Sequence, residues 1–180
     1  MIFRDDDIFF LTKIERFKRV DSLFMEYGIE HHIAILCNRF EEHTELIDYI
    51  RKNKHIIPQI HGWEHIDYTH HHDLIKEHLN LCIAKFKELK LSKPTIWFPP
   101  WNKADDISVY LAQELGLITL NKKNTITDYI QDIDYDLGDV INFHYWADQD
   151  VAMLDPALKK DYNSRKKKEI NDFLSSSEIY

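Results

Sequence analysis

Short apolar runs alternate along the chain with stretches of helical periodicity, about thirty residues per pair, and this alternation constrains the fold most tightly. Ile14, Phe17, Val20, Phe24 and Tyr27 predict a helix that stops at Gly28, a residue suited to a left-handed helix end. The run at 31–37 reads as a strand, and 41–52 as a helix through Leu46, Ile47 and Ile50. A third strand over 55–60, in which Pro58 admits a bulge, leads to a long helix through Ile75, Leu79, Cys82, Phe86 and Leu89. A strand at 95–98 ends at Pro99 and Pro100. Asp105 or Asp106 then caps a helix carrying Ile107, Tyr110, Leu111 and Leu115, closed by Gly116, and 139–143 reads as a late strand. Such units wind as right-handed βαβ crossovers around a parallel sheet or barrel. In those folds the reactive groups gather at the carboxyl ends of the strands.

The 180 residues suit one domain, and four Gly and five Pro leave no linker or repeat to divide them. With 23 basic and 31 acidic residues the formal charge is −8, so a nucleic-acid partner is not expected. The RKKK run at 165–168 reads as a solvated helix end. The opening MIFRDDD lacks the basic and apolar regions of an export signal, and no apolar run approaches spanning length, so a cytoplasmic protein without membrane contact is expected. Cys37 and Cys82 stand in apolar surroundings outside any CxxC pair and read as reduced core thiols.

Each candidate reactive cluster falls just after a predicted strand: Asp5, Asp6 and Asp7 after the first, His61 and His65 after the third, 99–102 after the fourth, His144 after the last. Three adjacent carboxylates repel one another, so they form either an exposed acidic turn or a site held ionised by a cation. His61 and His65 stand at a spacing that one helical turn places on the same face. Two imidazoles and a carboxylate make a facial set that leaves positions open for water and substrate, suiting zinc and other divalent transition metals. The segment HGWEH departs from the zincin HExxH, because Glu64 adjoins the second histidine.

FRDDDI, QIHGWEH and FPPWNK, in this order and spacing, resemble the first three motifs of the polysaccharide deacetylase superfamily (NodB homology, carbohydrate esterase family 4), and INFHYW resembles its last. The resemblance runs from residue 3 to 146, leaving 147–180 as a C-terminal helical segment of the same domain. It implies a deformed, often incomplete (β/α) barrel. It also implies Asp6 as general base, Asp7, His61 and His65 as metal ligands, and His144 as the acid that protonates the departing amine. A register shifted by one residue would make Asp5 the base and Asp6 the ligand. Trp101 takes the place whose backbone N–H helps hold the oxyanion, with Pro99, Pro100 and Asn102 shaping its loop.

In two places the chain departs from the family pattern. Phe98 stands where the family often has an arginine that orients the base, and Arg4 substitutes only if the fold turns it inward. The acid that tunes the late histidine is sought among Asp128, Asp132, Asp134 and Asp136. Trp63 and Trp101 flank the expected site and either stack on a sugar ring or pack against the barrel mouth. His70, His71 and His72 read as a solvated turn; His31 and His32 open a strand and face opposite ways. The expected activity is a cytosolic, zinc-dependent hydrolase of carbohydrate metabolism that removes an N-linked acetyl group from a small-molecule or oligosaccharide substrate. The competing readings are an inactive carbohydrate-binding module of the same fold and a metal buffer built on eleven histidines.

Overall fold

The computed structural model describes residues 1–121, 124–131 and 138–177. Six strands among these residues, all parallel to their neighbours, form one sheet: β1 (Ile2–Ile8), β2 (His31–Leu36), β3 (Ile56–Gly62), β4 (Ile96–Trp97), β5 (Ile118–Thr119) and β6 (Val140–Phe143). Their order is β5-β4-β3-β2-β1-β6, so β5 and β6 are edges and the sheet curls as an incomplete (β/α) barrel. This is the architecture that the alternation and the motifs imply.

The helices are α1 (Ile14–Tyr27), α2 (Thr44–Lys52), α3 (His72–Glu88), α4 (Asp106–Gln113), α5 (Ile126–Ile130) and α6 (Asp148–Ser177). They cover one face of the sheet. Phe17, Val20 and Phe24 of α1, Leu46, Ile47 and Ile50 of α2, and Ile75, Leu79, Cys82 and Phe86 of α3 are buried there against Phe3, Ile33, Ile35 and Ile60. Gly28 ends α1 at φ 63, as its position predicts. Alternate strand residues face the concave side, where Ala34, Phe98 and Val140 form a second cluster with Ile2, Ile96 and Leu120. Arg4, Asp6, His61 and Asn142 share that side, so the sheet's alternation separates its apolar packing from its polar site.

Several local expectations change. The three aspartates lie inside β1, not after it. His61 is still in β3 and His65 follows in a bend, so the pair meets without a helical turn. No bulge occurs at Pro58, which pairs regularly with Ile33; the irregularity in that ladder falls three residues later, where Ile35 pairs Ile60 but Leu36 pairs Gly62. In α4 the buried residues are Ser108 and Ala112, while Ile107 and Tyr110 face solvent; Asp105 is the cap, accepting from Ser108 N. The two-residue strand β5 and the single-turn-length α5 have no counterpart in the periodicity.

β2 is flanked by two strands that each contain one extra residue. On one side the pairs run Asp5↔Ile33 and then Ile8↔Ile35, leaving β1 one residue long; on the other the slip described above leaves β3 one residue long. Bulges of this kind re-aim side chains beside functional sites. Here the surplus residues are at Asp7, whose φ is 61, and at His61.

Candidate metal centre and its polar surround

The two bulges turn Asp7 and His61 towards each other at the carboxyl end of the sheet. Asp7 Oδ1 lies 3.3 Å from His61 Nε2 and 3.2 Å from His65 Nε2. One ligand atom from each residue lies within 4.8 Å of the others, the only such trio of potential ligands among the described residues. The donor chemistry fits a divalent transition metal: two imidazoles, one carboxylate, and an open side. Asp7 Oδ1 is buried with no hydrogen-bond partner among the described residues, as expected of an atom shaped to coordinate. Burial pushes the Asp7 carboxyl upward, but the two imidazoles outweigh it and hold the group well below the usual carboxylate range.

Each histidine is fixed from behind. His61 Nδ1 is 2.6 Å from the Phe98 carbonyl. A carbonyl only accepts, so Nδ1 carries a proton and Nε2 is the nitrogen turned to the trio. Trp97 Nε1 also donates to the His61 carbonyl at 3.1 Å. The loop carrying His65 is zipped to the end of β2 by Cys37 N–H to Gly62 O and Asn38 N–H to Trp63 O, at 2.9 and 3.0 Å. Tyr68, buried beneath it, accepts from Trp63 N–H at 3.3 Å. There is no room for a side chain at residue 62, where a Cβ would stand 2.9 Å from Glu64 O.

Arg4 is fully buried and turned inward. Its Nη2 donates to Asp6 Oδ2 at 2.5 Å and to Asn102 Oδ1 at 2.6 Å, and its guanidinium lies 4.8 Å from the Phe98 ring centroid. Asn142 donates a further 2.6 Å bond to Asp6 Oδ2. Asp6 Oδ1 is left buried and unpartnered among the described residues. Asp5 points away from the trio, towards the helices, and accepts from Tyr145 N–H at 2.7 Å.

His144 follows β6, with Nε2 3.9 Å from Asp7 Oδ2. Its Nδ1 faces Asp150 Oδ2 at 3.0 Å, and the same oxygen accepts from His144 N–H at 2.8 Å. Asp150, in the first turn of α6, is the acid that meets His144 among the described residues, while Asp128 closes a capping box with Thr125. Asp132, Asp134 and Asp136 lie outside the described residues. Asp150 and Asn142 were absent from the expected set, yet one detectable signal was an acid six residues after His144 at a helix start, where an anion is favoured.

Pro100, Trp101 and Asn102 form a tight turn in which Trp101 and Asn102 take left-handed φ values of 53 and 56. Non-glycine residues held there cluster at functional sites. The Trp101 ring stands edge-on to His65, 4.3 Å between centroids, and is exposed. Trp63 is half-buried against the core, whereas Trp146, which was not singled out, is exposed 4.8 Å from the His144 ring. A cavity of about 550 Å³ opens beside the trio, lined in part by Asp7, Phe9, Leu11, Leu36, His65 and Trp146.

Solved structures share this incomplete barrel. The chain resembles a family 4 carbohydrate esterase from Streptomyces lividans in complex with acetate, with a TM-score of 0.72 and 12% identity over 88% of this chain and 85% of that one. The peptidoglycan deacetylase PdaC from Bacillus subtilis gives 0.72 and 14% over 99% and 94%. A family 4 pseudoenzyme from Bacillus anthracis gives 0.75 and 13%, with 91% of this chain covering 60% of that one. What the chain shares with these proteins is the fold of the family 4 polysaccharide deacetylases. No family model matches the sequence, and no curated protein matches it.

Proposed function

We propose that the protein is a metal-dependent deacetylase that hydrolyses an N-linked acetyl group on a sugar or similar small substrate, with Asp7, His61 and His65 holding zinc. The convergence of these three side chains around the unpartnered Asp7 Oδ1 is the observation that carries the reading. A bound divalent ion supplies Lewis acidity towards the acyl carbonyl and acidifies water. Asp6 is the base: Arg4 and Asn142 occupy Oδ2, leaving Oδ1 to take the proton of the attacking water. The Trp101 N–H helps hold the oxyanion in the turn shaped by Pro100 and Asn102. His144 delivers its Nε2 proton to the leaving nitrogen while Asp150 holds the ring in place through Nδ1. Trp101, Trp146 and the half-buried Trp63 offer ring faces to a sugar, in an oligosaccharide or a smaller molecule.

The alternative, a ligand-binding module without turnover, draws on Phe98 in the place of the usual arginine. The guanidinium that Arg4 brings to Asp6 supports turnover instead. Two buried free cysteines support a reducing, cytoplasmic setting. No described helix is long and apolar enough to cross a membrane.

The test is acetate release from a panel of N-acetyl sugars and O-acetyl esters by zinc-loaded protein, alongside Asp6→Asn. Release by the native chain and its loss in Asp6→Asn, with zinc still bound, is the expected result. Silence across the panel by both, with sugar binding intact, would transfer the case to the module.

A further inference from the structure

Behind the site lies a chain of buried polar groups that no step above uses. Asp5, His31 and Asp21 are all fully buried. His31 Nδ1 is 2.9 Å from Asp21 Oδ1, and its Nε2 faces Asp5 Oδ2 at 3.4 Å, an ion pair without hydrogen-bond geometry. Asp21 also takes His55 Nε2 at 2.9 Å and the Tyr49 hydroxyl at 2.8 Å. The His31 ring stacks on Phe24 at 4.1 Å and 4°, with Phe17 and Phe143 at 5.4 and 6.0 Å. Burying two carboxylates and an imidazole under three phenyl rings is costly, and apolar residues of similar volume would pack there more cheaply. A device this costly calls for a specific use.

The ladder between β1 and β6 shows that use. Its last pair is Asp5↔Phe143. One step further, the Asp5 side chain replaces the missing backbone partner by accepting Tyr145 N–H at 2.7 Å. Tyr145 is also held by Arg16 Nε at its carbonyl, 2.7 Å, and by Lys13 N–H at its hydroxyl, 3.2 Å. His144 therefore stands between the final rung of the ladder and a side-chain clamp. The strand that supplies the clamp also supplies Asp6 and Asp7.

We infer that Asp5, backed by His31 and Asp21, is a positioning residue that locks the His144 turn to the strand carrying Asp6 and Asp7. It acts through Tyr145 and touches no reacting atom. The inference rests on the deacetylase reading for its catalytic meaning, and on hydrogen bonding alone for its structural content.

The leaving group separates such a role from simple scaffolding. An amine needs a proton to depart and a nitrophenolate does not, so misplacing His144 harms amide cleavage selectively. In zinc-loaded Asp5→Ala, kcat on an N-acetyl sugar should fall at least about tenfold more than kcat on p-nitrophenyl acetate, with KM for the sugar little changed. Exchange of the Tyr145 amide with deuterium, read by NMR in the same protein, should quicken by about tenfold or more while the amides of β1 keep their protection. Equal losses on the two substrates, or unchanged Tyr145 exchange, overturn the inference. If the native protein hydrolyses neither substrate, the deacetylase reading fails and the exchange result alone decides whether the clamp exists. Should Asp5→Ala not fold, Asp5→Asn keeps an acceptor for Tyr145 but loses the charge facing His31. The same ordering of losses at smaller size is then expected, and equal losses again overturn the inference.

Discussion

Arg4 brings a guanidinium to Asp6 from a different place in the sequence than the motif assigns. The position beside the proline turn holds Phe98, yet a guanidinium still reaches Asp6, because Arg4 lies two residues before it on the same face of β1 and passes over the Phe98 ring. Replacing it by methionine leaves Asp6 buried without its cation. Removing one partner of a buried pair costs about 3–5 kcal/mol, and misplacing Asp6, the proposed base, should cost about a hundredfold in kcat, while zinc affinity should be retained because Arg4 touches none of the proposed ligands. Denaturant unfolding, steady-state kinetics and zinc titration of Arg4→Met check the three parts. The residues of the trio were legible in the sequence because their motifs are short and local. Asp150 was not, because its tie to His144 depends on where α6 begins, and Asn142 and Asp5 were hidden because their roles arise from pairing between β1 and the last strand, more than a hundred residues away.

Helices α1 and α3 follow from spacing alone, since each buries one stripe and α1 ends at its glycine. Periodicity fails where elements are short: β5 has two residues, too few to alternate, and the buried face of α4 is lined by Ser108 and Ala112, which a hydrophobic pattern does not mark. It fails again at HGWEH, where a histidine spacing that suits a helical turn is produced by a strand end and a bend. Gly62 makes that bend possible. In Gly62→Ala the new methyl meets the Glu64 carbonyl and Tyr68, forcing the loop that places His65 to shift. Metal affinity should fall by about tenfold or more, the size typical of disturbed support around a ligand set. Isothermal titration with zinc measures it, and an unchanged affinity would show that the loop yields without moving His65.

The chain as a whole buries its main apolar cluster beneath the helices, away from the trio, so the fold is expected to persist without an ion. Chelation should end activity and leave the circular dichroism of the protein intact. Free zinc at a hundred times its dissociation constant should stabilise by about 2.7 kcal/mol, a rise of roughly 5–10 °C in unfolding midpoint. Stability should also depend on pH through His31. Burial pulls its pKa down, but Asp21 and Asp5 prevail and raise it above the ordinary value. A histidine raised on folding adds stability that is complete below its unfolded pKa of about 6.5 and lost as pH climbs through the folded one. Asp5, pushed by burial up to about 6, is ionised by then and adds no slope above it. The unfolding midpoint of zinc-free protein should therefore decline from neutral pH towards alkaline pH, and the decline should be shallower in His31→Gln. Parallel curves for the two proteins would remove His31 as its source.

The surplus residues on either side of β2 have a consequence for how the site is studied. Beyond the contribution of residues such as Gly62, its shape is stored in the length of the backbone, one unit more in each flanking strand. A scan that exchanges amino acids singly keeps that length and so leaves this part of the design untouched. Only shortening the chain does: excising one member of the aspartate triplet would leave a pair that spells the motif more plainly, while the strand snaps back into even step with its neighbour and carries the remaining carboxylates out of reach of the imidazoles.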